Sequence, residues 1–506
     1  MHFSTCIDRL RETGLLVNAW DPLEINFDRL TIDSRAAGPS DCFVAIKGTQ
    51  ADGHLFIDKA VKNGAIAIVS EAGPDTAIAN RQTVANRPSG PAFAHVTNTH
   101  LALAELASLV SGDPGRRLKM IATTGTNGKT TVATLIAWVL NQTGVPAGFI
   151  GTTGYRYGSL AAEASHTTPS AILFHDLLSS MHNAGMVACS LEASSHAIDQ
   201  ARLRVSDVDV AVFTNLSRDH LDYHHTFDAY TASKKLLFDG INSASSAVTN
   251  VDDARGMYMV SDTKGSVITY GQSAKADVRY VIRTNALAGL VIDIDGVSTT
   301  FKLSGSFNAA NLAAAYSACL AMGVEADLAR KTLASCPPVT GRMETFQTAS
   351  GTTVIIDYAH TPDALENVLG TVRESLPKGS KLWCVFGCGG DRDRGKRPEM
   401  GAIAEKMADY MVVTSDNPRT EDAASILEDI RQGVKRDSDA IWIVDRREAI
   451  HEAIRRMKHG DTIVLAGKGH ETYQVIGTEK IHFDDREQAV QAFISIGQQL
   501  TLGQAV

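Results

Sequence analysis

A chain of 506 residues is too long for one ordinary hydrophobic core, so two to four domains are expected. Hydrophobic residues at 44% and charged residues at 21% are ordinary globular values. A net charge of -9 offers no basic footprint for nucleic acid, while leaving room for a local phosphate pocket. Met1 to Gly14 carry Asp8, Arg9, Arg11 and Glu12 where a signal peptide needs an apolar core, and no apolar run approaches the roughly 20 residues of a membrane span. Neither nucleic acid nor membrane is an expected partner. Seven scattered cysteines, an odd number without a secretion signal, point to reduced thiols and the cytoplasm; Cys384 and Cys388 read as core thiols. A monomer is expected.

In chain order, the first hundred residues mix short β-branched strands, such as Gly64 to Val69, with turn signals. Asn80 to Pro91 reads as a loop, and Leu101 to Val110 as a helix ending at Ser111-Gly112-Asp113-Pro114-Gly115. That cluster sets a first boundary and a domain of residues 1–113. From Lys119 buried strands alternate with helices: Met120 to Thr123, Met186 to Leu191 and Val208 to Phe213 each run into polar residues, as in a parallel α/β sheet. Cys336-Pro337-Pro338 sets a second boundary, so the middle domain spans 114–340 and the last 341–506. There, four apolar runs end in polar loops at Asp357, Gly387, Thr414 and Gly467. Ile426, Ile430 and Val434, then Ile450 and Ile454, mark amphipathic helices by their four-residue spacing. The expected class is α/β, with a Rossmann-like last domain carrying one site along its sheet edge.

Thr124 to Thr131 reads Thr-Gly-Thr-Asn-Gly-Lys-Thr-Thr, between a strand and the helix Val132 to Leu140. Glycines let backbone amides curl around phosphate oxygens, and the helix N-terminus adds favourable partial charge. Lys129 supplies a point charge, and the Thr130 hydroxyl can ligate Mg²⁺. Thr123 stands where the general phosphate-loop pattern has glycine, so this is a variant loop. A glycine-rich turn with a chance lysine is the competing reading, disfavoured by the flanking strand and helix. The GTNGKTT loop resembles that of the Mur ligases and their relative folylpolyglutamate synthase, which activate a carboxylate as an acyl phosphate and let an amine displace phosphate. The resemblance implies three domains: a small N-terminal UDP-binding α/β domain, a central parallel-sheet ATPase domain, and a C-terminal amino-acid domain. It implies that Gly125, Thr126, Asn127, Gly128, Lys129, Thr130 and Thr131 hold ATP, with Lys129 catalytic.

Bringing a carboxylate onto ATP calls for divalent cations to neutralise charge. Glu192 ends a strand in Leu191-Glu192-Ala193-Ser194-Ser195-His196, and Arg218-Asp219-His220-Leu221-Asp222-Tyr223-His224-His225 follows. On spacing alone the second segment is a weak zinc-like cluster or a polar loop with solvated histidines. The pair of segments is similar to the Mur central domain, implying catalytic and Mg²⁺-binding roles for Glu192 and His220 alongside Thr130. Tyr230 to Lys234, then Leu237-Phe238, fits the register of that family's carbamylated lysine, implying Lys234 as a catalytic, metal-facing carbamate. Read without the resemblance, Lys234 is a helix-surface lysine like Lys235.

Gly305-Ser306-Phe307-Asn308-Ala309-Ala310-Asn311 opens an alanine-rich helix that Asn308 can cap. The family's GxFNxxN pattern implies Asn311 at the adenine, and Gly341-Arg342 with the Asp357 to Asp363 segment implies Arg342 and Asp357 at the nucleotide. Thr31 to Arg35 and Phe43 to His54 resemble the uridine-binding domain, implying Ile32, Ser34, Thr49, Gln50 and Ala51 at a UDP-sugar, joined by Thr167, Thr168, Ser194, Gln200 and Arg202. His166 departs from the asparagine usual in this branch.

Asp416-Asn417-Pro418-Arg419 directly follows a strand, with Pro418 holding Asn417 out of the helical region. A guanidinium grips a carboxylate in a planar fork that lysine cannot reproduce. This DNPR segment is similar to the motif of the diaminopimelate-adding branch, whereas lysine-adding relatives lack the arginine. Diaminopimelate is lysine with one more carboxylate, and Arg392, Gly467 and Glu471 are implied to complete its pocket. Alternatively Arg419 begins a helix and pairs at the surface with Glu421 or Asp422. The expected reaction is ATP- and Mg²⁺-dependent joining of meso-diaminopimelate to UDP-N-acetylmuramoyl-L-alanyl-D-glutamate in peptidoglycan synthesis. Folylpolyglutamate synthase is the nearest rival, opposed by the uridine-type domain and DNPR; a nucleotide-switched ATPase is the rival of another class.

Overall fold

The computed structural model describes residues 1–20, 22–48, 51–74, 90–164, 166–348, 351–436 and 439–501. Thr49 and Gln50, and residues 80–89 of the expected loop, lie outside the described residues. The chain divides into two compact units. One gathers Met1–Ile121, Val145–Asp209 and Asp239–Ser245; the other gathers Ala122–Gly144, Val210–Phe238 and Ser246–Val506. The segment 114–340 therefore contributes to both.

In the first unit a five-stranded sheet runs in the order Leu16–Trp20, Ala92–Val96, Ala67–Ser70, Asp41–Val44, Arg29–Thr31. The first pair is antiparallel and the rest are parallel. The helices Phe3–Glu12 and Thr99–Val110 cover one face through Phe3, Ile7, Leu103 and Leu106. A buried ion network joins this part to the 145–209 segment. Arg9 Nη2 meets Asp113 at 2.6 Å and Arg204 Nε meets Glu105 at 2.9 Å, which explains why the unit crosses the boundary expected at residue 113. The strand Ala188–Glu192 lies parallel to Ala147–Gly151, which pairs antiparallel with Gly154–Tyr157.

In the second unit Val208–Phe213, Ser246–Asn250 and Ser266–Gly271 are parallel neighbours, but Val278–Ala286, Gly289–Ile294 and Val297–Phe301 form an antiparallel meander. The expectation of a purely parallel middle sheet is corrected at these strands. Their turns are tight, with Gly289 and Gly296 at positive φ, so no crossover helix intervenes. The C-terminal sheet runs Ala440–Trp442, Tyr410–Val413, Leu382–Phe386, Thr462–Ala466, Thr353–Asp357, Glu344–Thr348, Leu500–Thr501. Its first five strands are parallel, and the central Leu382–Phe386, Thr462–Ala466 and Thr353–Asp357 are buried on both faces. Ile355 packs with Leu365, Leu369 and Phe386 on one side, while Val354 and Ile356 pack with Ile450, Ile454 and Phe493 on the other. Parallel order brings the carboxyl ends at Asp357, Phe386, Val413 and Ala466 to one edge, as expected of a doubly wound sheet. All seven cysteines are free and buried. Among the described residues no helix is long and apolar enough to cross a membrane.

Candidate active site

The phosphate loop joins the strand Lys119–Thr124 to the helix Lys129–Gln142, which starts three residues earlier than the apolar pattern suggested because Gly128 caps it in a left-handed conformation. Gly125 and Gly128 have φ of 151° and 85°. A Cβ on either would overlap a side chain, Thr214 Oγ1 at the first and Asn311 Oδ1 at the second. The loop is tied down from several sides. Asn127 N donates to Asn215 Oδ1 at 2.9 Å, Asn127 Nδ2 to Asp363 Oδ2 at 2.8 Å, and Ser217 N to Thr126 Oγ1 at 2.9 Å. Lys129 Nζ donates to the carbonyls of Gly125 and Thr126 at 3.0 and 2.8 Å. Thr131 is buried in the first helical turn, and Thr130 Oγ1 accepts from Arg342 Nη2 at 2.9 Å.

Lys234 is a buried residue of the helix Phe227–Asp239, not a surface lysine. Its Nζ donates to Gly125 O at 2.8 Å and lies 4.7 Å from the Tyr230 ring centre. Burial, then the nearby Lys129 cation, push the Lys234 amine well below the usual lysine range, against the opposing pull of Asp219. Lys235 next door differs: it reaches Asp262 at 2.6 Å. Asp219 is buried, which alone would raise it, yet His220, Lys396, His360 and Lys129 hold its carboxyl below the carboxylate range. His220 has φ of 54° and places Nε2 3.3 Å from Asp219 Oδ2. Among the described residues no three His, Cys, Asp or Glu side chains converge as a metal site.

The first unit assembles a second set. Glu192 is fully buried, and both carboxylate oxygens are held by Thr152, whose N–H reaches Oε1 at 2.7 Å and whose hydroxyl reaches Oε2 at 3.0 Å. Thr167 Oγ1 accepts from the same Thr152 hydroxyl at 3.1 Å. Thr168 Oγ1 donates to Glu192 O at 2.6 Å and accepts from Ser194 N at 3.1 Å. Arg202 donates to Thr168 O at 2.8 Å and to Gln200 Oε1 at 2.8 Å. Thr167, Thr168, Ser194, Gln200 and Arg202 are thus linked with Glu192 in one hydrogen-bonded chain. In the N-terminal part Ile32 is half-buried, Ser34 is buried with its carbonyl accepting from Asn63 Nδ2 at 2.8 Å, and Ala51 is exposed. His166 is exposed.

A cavity of about 670 Å³ in the second unit is lined by Leu303, Ser304, Asn308, Arg342 and Met343; of Asn311, Arg342 and Asp357, only Arg342 lines it. Asn308 is not the helix cap. Gly305 holds that position, and Asn308 Oδ1 accepts from Asn311 Nδ2 at 2.8 Å. Arg342 lies over the Tyr358 ring at 4.7 Å. Asp357 Oδ2 accepts from Met343 N at 2.7 Å, and burial raises its carboxyl.

The DNPR segment leaves the strand Tyr410–Val413 at the sheet edge. Its helix begins at Ala423, capped by Asp422, so Arg419 does not start a helix or pair with Glu421. Glu421 is taken by Arg397 and Arg394, each at 2.9 Å. Arg419 Nη1 instead donates to Gly390 O at 2.8 Å. A Cβ on Gly389 would lie 2.9 Å from Arg419 Nη1 and 3.8 Å from Arg392 Cγ, so two arginine side chains approach one bare glycine, with Arg392 Nη1 donating to Asp391 O at 3.0 Å. Partial desolvation, then the adjacent Arg419 cation, lower the Arg392 guanidinium, although the residue is exposed. The rest of this edge is mixed in charge. Asn417 Nδ2 donates to Glu471 Oε2 at 2.8 Å, and Gly467, at φ of 112°, keeps its Cα bare against Asp416.

Several residues outside the sequence expectations belong to this edge. Lys468 is fully buried, 3.1 Å from Glu471 Oε2, 3.2 Å from Asn417 Oδ1 and 3.6 Å from Asp416 Oδ1. Its spacing of three from Glu471, between two glycines, was the available signal. Thr152 and Asp363 had none beyond lying near recognised segments. His360, whose Nδ1 lies 2.8 Å from Tyr358 O, is lowered to about 4 by burial and Lys396.

A phosphate-loop strand and helix beside the carboxyl edge of a doubly wound sheet define a P-loop α/β enzyme. Three family descriptions match in sequence: "Mur ligase family, catalytic domain" over residues 26–110, "Mur ligase middle domain" over 123–319 and "Mur ligase, glutamate ligase domain" over 341–469. The UDP-N-acetylmuramoyl-L-alanyl-D-glutamate--2,6-diaminopimelate ligase of Phocaeicola vulgatus is 39% identical over 460 residues, covering 90% of this chain and 93% of its own. The protein of the same name from Geobacillus thermodenitrificans is 42% identical over 468 residues, covering 90% and 93%. A solved structure of a ligase with that name, 34% identical, covers 94% of this chain and 97% of its own with a TM-score of 0.65. A Mycobacterium tuberculosis folylpolyglutamate synthase shares the fold at 19% identity and a TM-score of 0.59, over 72% of this chain and 91% of its own. The chain belongs to the Mur ligase family: it is a ligase with that family's three-domain fold.

Proposed function

We propose that the chain joins meso-diaminopimelate to UDP-N-acetylmuramoyl-L-alanyl-D-glutamate, using ATP and forming an acyl phosphate, as a cytoplasmic step of peptidoglycan precursor synthesis. One observation carries the reading: the arginine side chains of Arg392 and Arg419 lie beside bare Gly389 at one end of a sheet-edge cluster whose other end holds Asp416, Asn417 and Glu471. A substrate with a carboxylate and an ammonium at its distal centre matches both ends. The relatives named for 2,6-diaminopimelate support the choice of amino acid. The domain limits at 113 and 340 are part of the proposal; the three family segments fall within them.

In this reading the loop from Gly125 to Thr131 cradles the ATP phosphates, with Lys129 swinging from its own loop carbonyls to the terminal phosphates. Asn311, Arg342 and Asp357 hold the nucleoside. Ile32, Ser34, Thr49, Gln50, Ala51, Thr167, Thr168, Ser194, Gln200 and Arg202 hold the UDP-muramyl dipeptide.

Thr130, Glu192, His220 and a carbamate on Lys234 are hard oxygen donors with one imidazole, a set that suits Mg²⁺. Lys234 fits carbamylation because it is buried and its amine is shifted toward the neutral form, the form that is nucleophilic toward CO₂. Bound Mg²⁺ would neutralise charge on the transferring phosphoryl group. The chain's own residues align the D-glutamate γ-carboxylate with the phosphate loop, and the neutral amine then attacks the acyl carbon, releasing phosphate.

The test is phosphate release from ATP and UDP-MurNAc-dipeptide with diaminopimelate, with lysine, and with no amine. Turnover with diaminopimelate alone is expected. Turnover with lysine alone would overturn the amino-acid choice, and robust release without an amine would favour an ATPase.

A further inference from the structure

The backbone of Arg419 is held in a shape that arginine does not favour. Its φ is 51°, in the left-handed region that side chains other than Gly, Asn and Asp seldom occupy. Such a conformation persists only where surrounding structure over-determines it. Here both backbone groups of Arg419 are taken by the antiparallel hairpin Tyr473–Ile476 and Glu479–His482. Arg419 N donates to Val475 O at 3.0 Å, and Gly477 N donates to Arg419 O at 2.7 Å.

The same hairpin fixes the preceding residues. Val475 N donates to Asn417 Oδ1 at 3.0 Å. The buried Gln474 carboxamide donates to Asp416 O at 2.6 Å and to Ser415 Oγ at 2.9 Å. Every residue from Ser415 to Arg419 except Pro418 is therefore bonded to the strand Tyr473–Ile476 or its turn.

We propose that this hairpin is the template for amino-acid selectivity, with Gln474 as its positioning residue. The proposal rests on the reading that Arg419 receives the distal carboxylate. Gln474 acts at one remove. It sets the Ser415–Asp416 peptide, which delivers Asn417 and Arg419 to Val475, and the left-handed turn then aims the guanidinium at the bare Gly389–Gly390 edge beside Arg392. Relaxed to an ordinary helical φ, Arg419 would carry its fork out of that cradle.

The experiment measures kcat and KM for diaminopimelate and L-lysine, and KM for ATP and UDP-MurNAc-dipeptide, in the wild type, Gln474→Met, Gln474→Glu and Arg419→Ala. Gln474→Met keeps the volume but removes the donor. Its kcat/KM for diaminopimelate should fall about tenfold or more, carried by KM, as expected when the two hydrogen bonds of a buried carboxamide are lost. The diaminopimelate-to-lysine ratio should fall equally, and the other two KM values should hold. Gln474→Glu places an acceptor against Asp416 O, and its selectivity should recover as pH falls and the carboxyl regains a proton to donate. Wild-type ratios in both Gln474 variants, with the ratio lost in Arg419→Ala, would overturn the template. So would an equal rise in all KM values. A ratio retained in Arg419→Ala would sink the acceptor reading instead.

Discussion

Replacing Lys468 with Met removes the cation that touches both acidic side chains of the acceptor pocket, Glu471 at 3.1 Å and Asp416 at 3.6 Å. Lys468 is fully buried, Asp416 is buried and Glu471 is half-buried, so water replaces the lost partner poorly. Breaking a buried charge set by deleting one member costs about 3–5 kcal/mol. Part of that cost is relieved by protonation. Burial and Asp416 already raise the Glu471 carboxyl above its ordinary value of 4.5, with Lys468 and the Asn417 hydrogen bond opposing them. Without Lys468 the carboxyl rises further.

A carboxyl raised in the folded state binds its proton more tightly there than in the unfolded chain. Stability is then fullest below 4.5 and is lost as pH climbs toward the folded value. The destabilisation of Lys468→Met relative to the wild type should therefore be smallest near about pH 5 and largest near about pH 8. Urea-unfolding midpoints at the two pH values measure it. An offset of the same size at both would refute the claim that Lys468 opposes the rise of the Glu471 carboxyl.

Other variants probe the remaining parts. Gly128→Ala forces a Cβ onto Asn311 at a φ of 85°, and ADP affinity measured by calorimetry should fall about tenfold or more, with the circular-dichroism spectrum kept. Lys234→Met should abolish a ¹³C-carbamate signal that the wild type shows in labelled bicarbonate, and stripping CO₂ should lower wild-type turnover reversibly. Asp485→Asn unbalances the fully buried pair with Arg446, bonded at 2.8 and 2.7 Å, and should cost about 3–5 kcal/mol in urea unfolding. The double variant Arg446→Met/Asp485→Leu should recover most of that loss.

Much of this was legible because local and global signals agree. The strands ending at Asp357, Phe386, Val413 and Ala466 are continuous apolar runs, as burial on both sheet faces demands. The phosphate loop declared itself through two glycines whose Cβ positions are occupied. What stayed hidden depends on tertiary placement. Lys234 has a polar helical neighbourhood in sequence, and only the fold around Gly125 buries it. The antiparallel meander from Val278 to Phe301 looks like any set of β-branched runs until its tight turns are seen. Gln474 lies 58 residues from Asp416, and no spacing links a hairpin glutamine to a carbonyl across that distance.

The measurement that bears most directly on the central claim is a competition. The purified ligase is given ATP, Mg²⁺, UDP-MurNAc-L-Ala-D-Glu and equal concentrations of meso-diaminopimelate and L-lysine, and the tripeptide products are weighed by mass spectrometry. Two arginine side chains beside Gly389 predict a product made almost wholly of diaminopimelate, with lysine entering only when Arg419 is replaced by Ala. Comparable amounts of both tripeptides from the unaltered enzyme would contradict the account.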